Sequence, residues 1–323
     1  MYRISSLTGA ENRVLGSQRV RLLRIYLIAT TSLYVYGVVF TIFPVRTDIA
    51  YGDPVGGIIA ILLGLSALAY LAVDPDRLLP ATVAAIAATP IVMAFHVTLT
   101  AEYMSLIPIM FLAMYIRAFH PSRHAWVLIG CLTVASLVAL FLSPAPHLGV
   151  ITFLIFAVAI VGAAESFGVL MRAMITAACT DPLTGLFNRA GWDIGTAEMI
   201  ARTKKIDEPV AVVVLDVDGM KQINDTFGHQ AGDDLLVDYA TRWRQLVPRH
   251  AVLARLGGDE FAACMVGERQ DVVDEFVRDV SRHTPGVSLG VAVRDVHEAR
   301  IAEMHAAADA ALYERRGRPL RDG

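Results

Sequence analysis

Two pairs of acidic residues carry the most chemistry in this chain. Asp216 and Asp218 close an apolar, β-branched run, and Asp259 and Glu260 follow the pair Gly257-Gly258. Carboxylates gathered at strand ends suit magnesium, which binds through one or two carboxylates and completes its shell with water and substrate phosphates. Two such ions activate an attacking oxygen and stabilise charge developing at phosphorus. Lys221 follows the first pair closely and supplies a positive charge for phosphate. Gly219 stands where the N–H groups of a helix start can cradle phosphate oxygens. The paired glycines permit a tight turn and leave room for a polyphosphate. A lone Asp at a strand end more often only caps it. The set acts together only if the two acidic tips lie side by side.

The elements that must position them are legible from periodicity. Residues 209–217 (PVAVVVLDV) read as a buried strand with acids at its C-terminal tip. Residues 251–256 and 260–266 flank the Gly-Gly turn and read as a hairpin. Leu235, Leu236, Tyr239, Trp243 and Leu246 fall at helical spacing within 232–247. Residues 186–203, 269–282 and 299–315 also read as helices, and 286–294 as a strand. The expectation is a mixed α/β sheet with helices on its faces, beginning after a turn at 180–185.

The 323 residues suffice for two domains, and the mean hydropathy of +0.52 is high for a soluble protein. The excess is uneven. Residues 1–172 hold ten Arg, no Lys and seven acids, a net of +3; the rest carry −6. Six stretches read as membrane spans: 25–45, 54–73, 78–101, the short 103–116, 125–146 and 148–164. The short one becomes plausible if Arg117 snorkels to the surface. Arginines before the first span, at Arg77, at Arg117 and Arg123, and at Arg172 put both termini in the cytoplasm by the positive-inside rule. His96 falls within the third span and Glu102 at its end, with Pro90 a possible kink. Glu165 is expected to reach cytoplasmic water. The divisions are a cytoplasmic segment 1–20, a six-span membrane domain 21–164 that can act as a sensor or only an anchor, a connecting helix 165–179, a soluble domain 180–318 and a tail 319–323. Net acidity argues against nucleic acid as the partner, since phosphate backbones need basic faces. The scattered Cys131, Cys179 and Cys264 form no disulfide framework or zinc site and read as small buried hydrophobes.

RLGGDEF at 255–261 resembles the signature of the GGDEF family of diguanylate cyclases. TDPLTGLFNR at 180–189 resembles that family's opening motif, and LDVDGMKQINDTFGHQAGDDLL at 215–236 its substrate-binding stretch. SLGVAV at 288–293 and ADAALYERRGR at 308–318 are similar to its closing strand and helix. The resemblance, over about 176–318, implies a fold similar to adenylyl cyclase catalytic domains and polymerase palms. It implies that two GTP molecules, one per domain of a homodimer, become cyclic di-GMP and two pyrophosphates. By it, Asp216, the Val217 carbonyl and Asp259 hold the metal, Mg²⁺ or Mn²⁺, two per site. Asp259 also accepts the 3′-hydroxyl proton, Glu260 completes the motif, and Lys221 stabilises the transition state. Asn224 and Asp233 read the guanine edge, and His229, Gly219, Met220, Gly257 and Gly258 contact substrate. Asp181 is a structural turn residue. The location implied is a bacterial inner membrane; any signal ligand for the membrane half is unnamed.

Three departures matter. Gly219-Met220 replace an aromatic before the lysine. Pro248 to Ala251 stand where an inhibitory Arg-x-x-Asp product site would lie, so feedback through it is expected to be absent. The closing helix is about two residues short, and Arg316 and Arg318 are expected to stand in for the basic residues on the triphosphate. Two rivals remain: a nucleotide-binding module without turnover, opposed by the intact signature, and an enzyme making a mixed GMP–AMP product, opposed by Asp233.

Overall fold

The computed structural model describes residues 16–44, 51–146, 149–203 and 208–317. Arg318, the tail and the first fifteen residues lie outside these. The chain divides into two compact units, with a boundary between Arg172 and Ala173.

Among the described residues, six apolar helices begin in the first unit: α1 (Gly16–Ile42), α2 (Val55–Val73), α3 (Leu79–Met93), α4 (Leu99–Phe119), α5 (Ser122–Leu142) and α6 (Val150–Cys179), the last of which runs past the boundary at Arg172. Five are long and apolar enough to cross a membrane, while α3 has 15 residues. Leu23, Leu27, Leu71, Met93, Leu112, Ile116, Ile129 and Phe156 form a buried core. Leu33, Phe111, Val127, Leu154 and Val158 nonetheless face outward. Helices apolar on both sides fit a lipid surround better than water.

The third and fourth expected spans need correction. The weak span is α3, which ends at Met93 after 15 residues and carries Pro90 in its last turn. Phe95 and His96 N–H groups then bond back to Val92 and Met93 carbonyls as tight turns. Thr98 starts α4, its hydroxyl accepting from Ala101 N–H at 3.4 Å. His96 therefore lies in a connection rather than a span, and Glu102 is buried in the first turn of α4. Arg117 does not snorkel: its side chain is only 10% exposed and bonds Glu165 at 3.2 Å. Its guanidinium also lies 5.7 Å from the Trp126 ring centroid. Glu165 is partly exposed, and Arg117 and Arg172 both hold it. Cys131 is exposed, unlike the buried Cys179 and Cys264; burial pushes the Cys264 thiol up to about 12.

The second unit is built on a four-stranded sheet of β1 (Pro209–Val217), β2 (Val252–Gly257), β3 (Glu260–Val266) and β4 (Val287–Asp295), in the order β2-β3-β1-β4. Every pairing within it is antiparallel. Side chains alternate between faces. Val210, Val212 and Val214 pack with α7 (Arg189–Thr203) and α11 (Ile301–Arg316) on one face. Ala211, Val213 and Leu215 pack with α9 (His229–Leu246) and α10 (Gln270–His283) on the other. Both faces being covered, β1 reads as an unbroken apolar run. Trp243 of α9 is fully buried, donates from Nε1 to Thr284 Oγ1 at 3.0 Å, and meets the Phe261 ring edge-on at 4.9 Å. The short α8 (Met220–Phe227), not resolved from α9 by periodicity, follows β1 directly.

Candidate active site

Strand register brings the two acidic tips together. Asp216 of β1 lies opposite Glu260 of β3 on one side and Ser288 of β4 on the other. Directly opposed residues share a sheet face, here the face carrying α7 and α11. Val217 N–H donates to the Asp259 carbonyl at 3.1 Å, and Asp218 N–H to the Gly286 carbonyl at 2.8 Å. The Gly257-Gly258 turn that offers Asp259 needs a left-handed residue, and Gly258 has φ +44°. Gly219 has φ +72° and turns the chain from β1 into α8.

Burial raises the Asp216 carboxyl above its ordinary value, and the charges of Asp259 and Asp218 add to that, only partly offset by Arg316. Arg316, at the end of α11, bonds through Nη2 to both Asp216 and Asp218. Its Nε donates to Ser288 Oγ at 2.9 Å, and Ser288 donates to Asp218 at 2.9 Å. Its position on the metal-type carboxylates, and the part of Ser288, were not foreseen: the β1–β4 register that aligns them cannot be read from either strand alone.

The stretch 215–236, expected to bind substrate, ends β1 and continues through α8 into α9. Lys221 is exposed in the first turn of α8, and His229 is exposed at the first residue of α9. The Met220 side chain is buried in the core, leaving only its backbone for a ligand. Asn224 and Asp233 are half-buried. Asn224 Oδ1 is shielded from solvent without a hydrogen-bond partner among the described residues. It abuts Gly232, where any Cβ would overlap it. A shielded, unbonded amide oxygen is costly unless a ligand satisfies it.

Glu260 faces away from these two helices. Its carboxylate lies 3.4 Å from His305 Nε2 of α11 and 4.0 Å from Arg189 Nη2 of α7. His305 carried no sequence signal, since a single histidine on a helix face is common. Asp181 sits in the turn before α7, accepting from Thr184 N–H at 2.8 Å, Thr184 hydroxyl at 2.7 Å and Arg255 Nη1 at 3.2 Å. Burial raises its carboxyl, but the Thr184 and Arg255 bonds outweigh this and hold it below the usual range. A pocket of about 480 Å³ is lined by Asp181, Asn188, Arg189, Arg255, Gly257 and Gly258, and by none of Asn224, His229 or Asp233.

The donor set fits a hard divalent ion. Carboxylate and carbonyl oxygens suit magnesium or manganese, and the Arg316 guanidinium paired with both Asp216 and Asp218 already sets a positive charge against these carboxylates. Among the described residues no three acidic, His or Cys side chains form a ready-made metal cluster. Substrate phosphates would have to complete the shell, as is common for magnesium.

Residues 178–319 match the profile described as "Diguanylate cyclase, GGDEF domain". An uncharacterized 19.3 kDa protein of Streptomyces ambofaciens is 37% identical, over 48% of this chain and 87% of its own length. Diguanylate cyclase DgcP of Escherichia coli is 31% identical over 44% of this chain, which spans only 46% of DgcP. A solved sensory box/GGDEF family protein of Caulobacter crescentus is 36% identical, covering 42% of this chain and 96% of that one, with a TM-score of 0.39. On that sequence likeness and the intact signature, the chain belongs to the GGDEF family of diguanylate cyclases.

Proposed function

We propose that this protein is a membrane-anchored enzyme that condenses two GTP molecules into cyclic di-GMP, releasing two pyrophosphates. The observation that carries the reading is the register that sets Asp216 beside Glu260 while Val217 N–H holds the Asp259 carbonyl. The acidic tips of β1 and β3 are thereby neighbours at the mouth of one sheet. Asp216, the Val217 carbonyl and Asp259 would hold Mg²⁺ or Mn²⁺, two ions per site. When bound, the metal neutralises triphosphate charge and lowers the cost of charge developing at phosphorus.

The protein's own groups do the rest. Asn224 and Asp233 read the guanine: the Asp carboxylate accepts from N1–H and N2–H₂, a donor pair adenine lacks, and the shielded Asn224 oxygen gains a partner. Gly257 and Gly258 leave space for ribose and phosphate. The α8 start at Gly219 and Met220 offers backbone N–H groups to phosphate, with His229 a further contact and Lys221 countering the transition-state charge. Arg316, and Arg318 beyond it, serve the triphosphate. The 3′-hydroxyl of one GTP attacks the α-phosphorus of the other. The new O–P bond forms as the bond to pyrophosphate breaks, and the hydroxyl proton passes to the Asp259 carboxylate. Two such events close the ring, so two copies of the domain must meet as a homodimer.

The apolar helices of 21–164 anchor the enzyme in a bacterial inner membrane, with α3 the short sixth crossing. Both termini are cytoplasmic, residues 165–179 connect, and 180–318 carry the catalysis. Incubating the full-length protein with GTP and Mg²⁺, with products identified by mass spectrometry, tests this. Cyclic di-GMP is expected from the wild type and not from Asp259→Ala. GTP bound without turnover, or a mixed cyclic product, would overturn it.

A further inference from the structure

The helical unit contains a second hollow, remote in sequence from any acidic cluster. Its volume is about 510 Å³, within the range of small-molecule sites. It lies where the C-terminal ends of α1 and α3 meet the N-terminal ends of α2 and α4. Those are the helix ends opposite the ones near Arg24, Arg77 and Arg117.

Its construction is specific. Glycines let the walls close: a Cβ at Gly57 would meet Val38 Cγ2 at 2.5 Å, and one at Gly56 would meet Phe95 Cδ2 at 2.5 Å. Tyr34 and Thr89 hydroxyls bond each other at 2.6 Å, buried within the wall. His96 is held by its backbone, its carbonyl accepting from Ser143 Oγ at 2.8 Å. Its ring Nδ1 is shielded from solvent and has no hydrogen-bond partner among the described residues. A shielded imidazole nitrogen of this kind calls for a partner that no described residue supplies. Thr98 and Ser105 also line the hollow, whereas Leu33, Tyr36 and Met104 edge it and are themselves exposed on the apolar flank. Among the described residues no lysine or arginine lines it, and Asp53 is the one acid. An anion would meet no lysine or arginine among them.

We propose that this hollow is a binding site for a small uncharged amphiphile. Its polar group bonds the His96 imidazole, and its apolar body lies between α1 and α4, open to the bilayer. The inference rests on reading these helices as membrane spans, but does not need the cyclase chemistry.

The test uses full-length protein in nanodiscs, with 1-naphthol as an uncharged probe and 1-naphthyl phosphate as its anionic counterpart, read by saturation-transfer NMR against empty nanodiscs. Saturable binding of 1-naphthol is expected, with little of the phosphate. Ser105→Phe, which fills the hollow, should abolish it, and His96→Ala should weaken it about tenfold. Ser105→Ala keeps the space and should bind as wild type, which separates filling from misfolding. Equal binding by wild type and Ser105→Phe, no saturable 1-naphthol binding, or equal binding of the anion would each overturn the proposal. Release of the protein from membranes by alkaline carbonate would instead defeat the membrane reading beneath it.

Discussion

At the scale of single residues, environment divides the acids into those that hold the fold and those left for a ligand. Asp181 belongs to the first group. Its carboxyl is held below the ordinary range, so its stabilising bonds are complete at neutral pH and are lost as pH falls through that lowered value. Asp181→Asn should cost about 1–3 kcal/mol near pH 7, because Arg255 loses a charged partner in a mostly buried place. The penalty should begin to shrink below about pH 4, where the carboxylate of the unfolded chain protonates, and disappear once pH has fallen through the lowered native value. Urea melts across pH would show this; a pH-independent difference would contradict it. Asp216 belongs to the second group, kept above its ordinary value by burial and by the charges of Asp259 and Asp218. The four acids, Lys221 and the two glycines were legible because their types and spacing are unusual together. The place of Arg316 and His305 was not, since one arginine or histidine on a helix looks like any solvated face until its packing is known.

At the scale of elements, the strands were the easiest to read. The run 209–217 coincides with β1, and the hairpin differs by one residue at β2. Apolar composition and a Gly-Gly turn left little choice there. Helix ends were harder where no charge or cap dominates. The third and fourth spans were misdivided because residues 94–98 are as apolar as their surroundings, and only Pro90 and the Thr98 cap mark the break. The α8–α9 pair shows what such boundaries decide. Gly228, with φ +86°, separates the two helices, and Gly232 lets Asn224 sit against α9. Gly232→Ala must push Asn224 aside while leaving the carboxylate tips untouched. The Michaelis constant for GTP should rise about tenfold, with turnover at saturating GTP changed far less. Steady-state kinetics would check it, and an unaltered Michaelis constant would remove Asn224 from the guanine site.

At the scale of the whole molecule, composition alone separated the two halves, since a bilayer and water demand different side chains. The second unit has its own core on both faces of its sheet, so residues 173–323 should fold alone and melt in one transition. If each copy supplies one nucleotide, as proposed, the specific activity of that fragment should rise with its concentration, whereas a monomeric enzyme would show none of that dependence. What no sequence pattern gave was the pocket near His96, which depends on four helix ends meeting. The claim beneath all of this is that Asp216 and Asp259 grip one magnesium–triphosphate. The direct measurement is Mn²⁺ binding to full-length protein by electron paramagnetic resonance, with a non-hydrolysable GTP analogue present. Asp216→Asn and Asp259→Asn should each weaken binding at least tenfold, and the double variant little further, because the two share an ion. Wild-type affinity in either single variant would contradict the account.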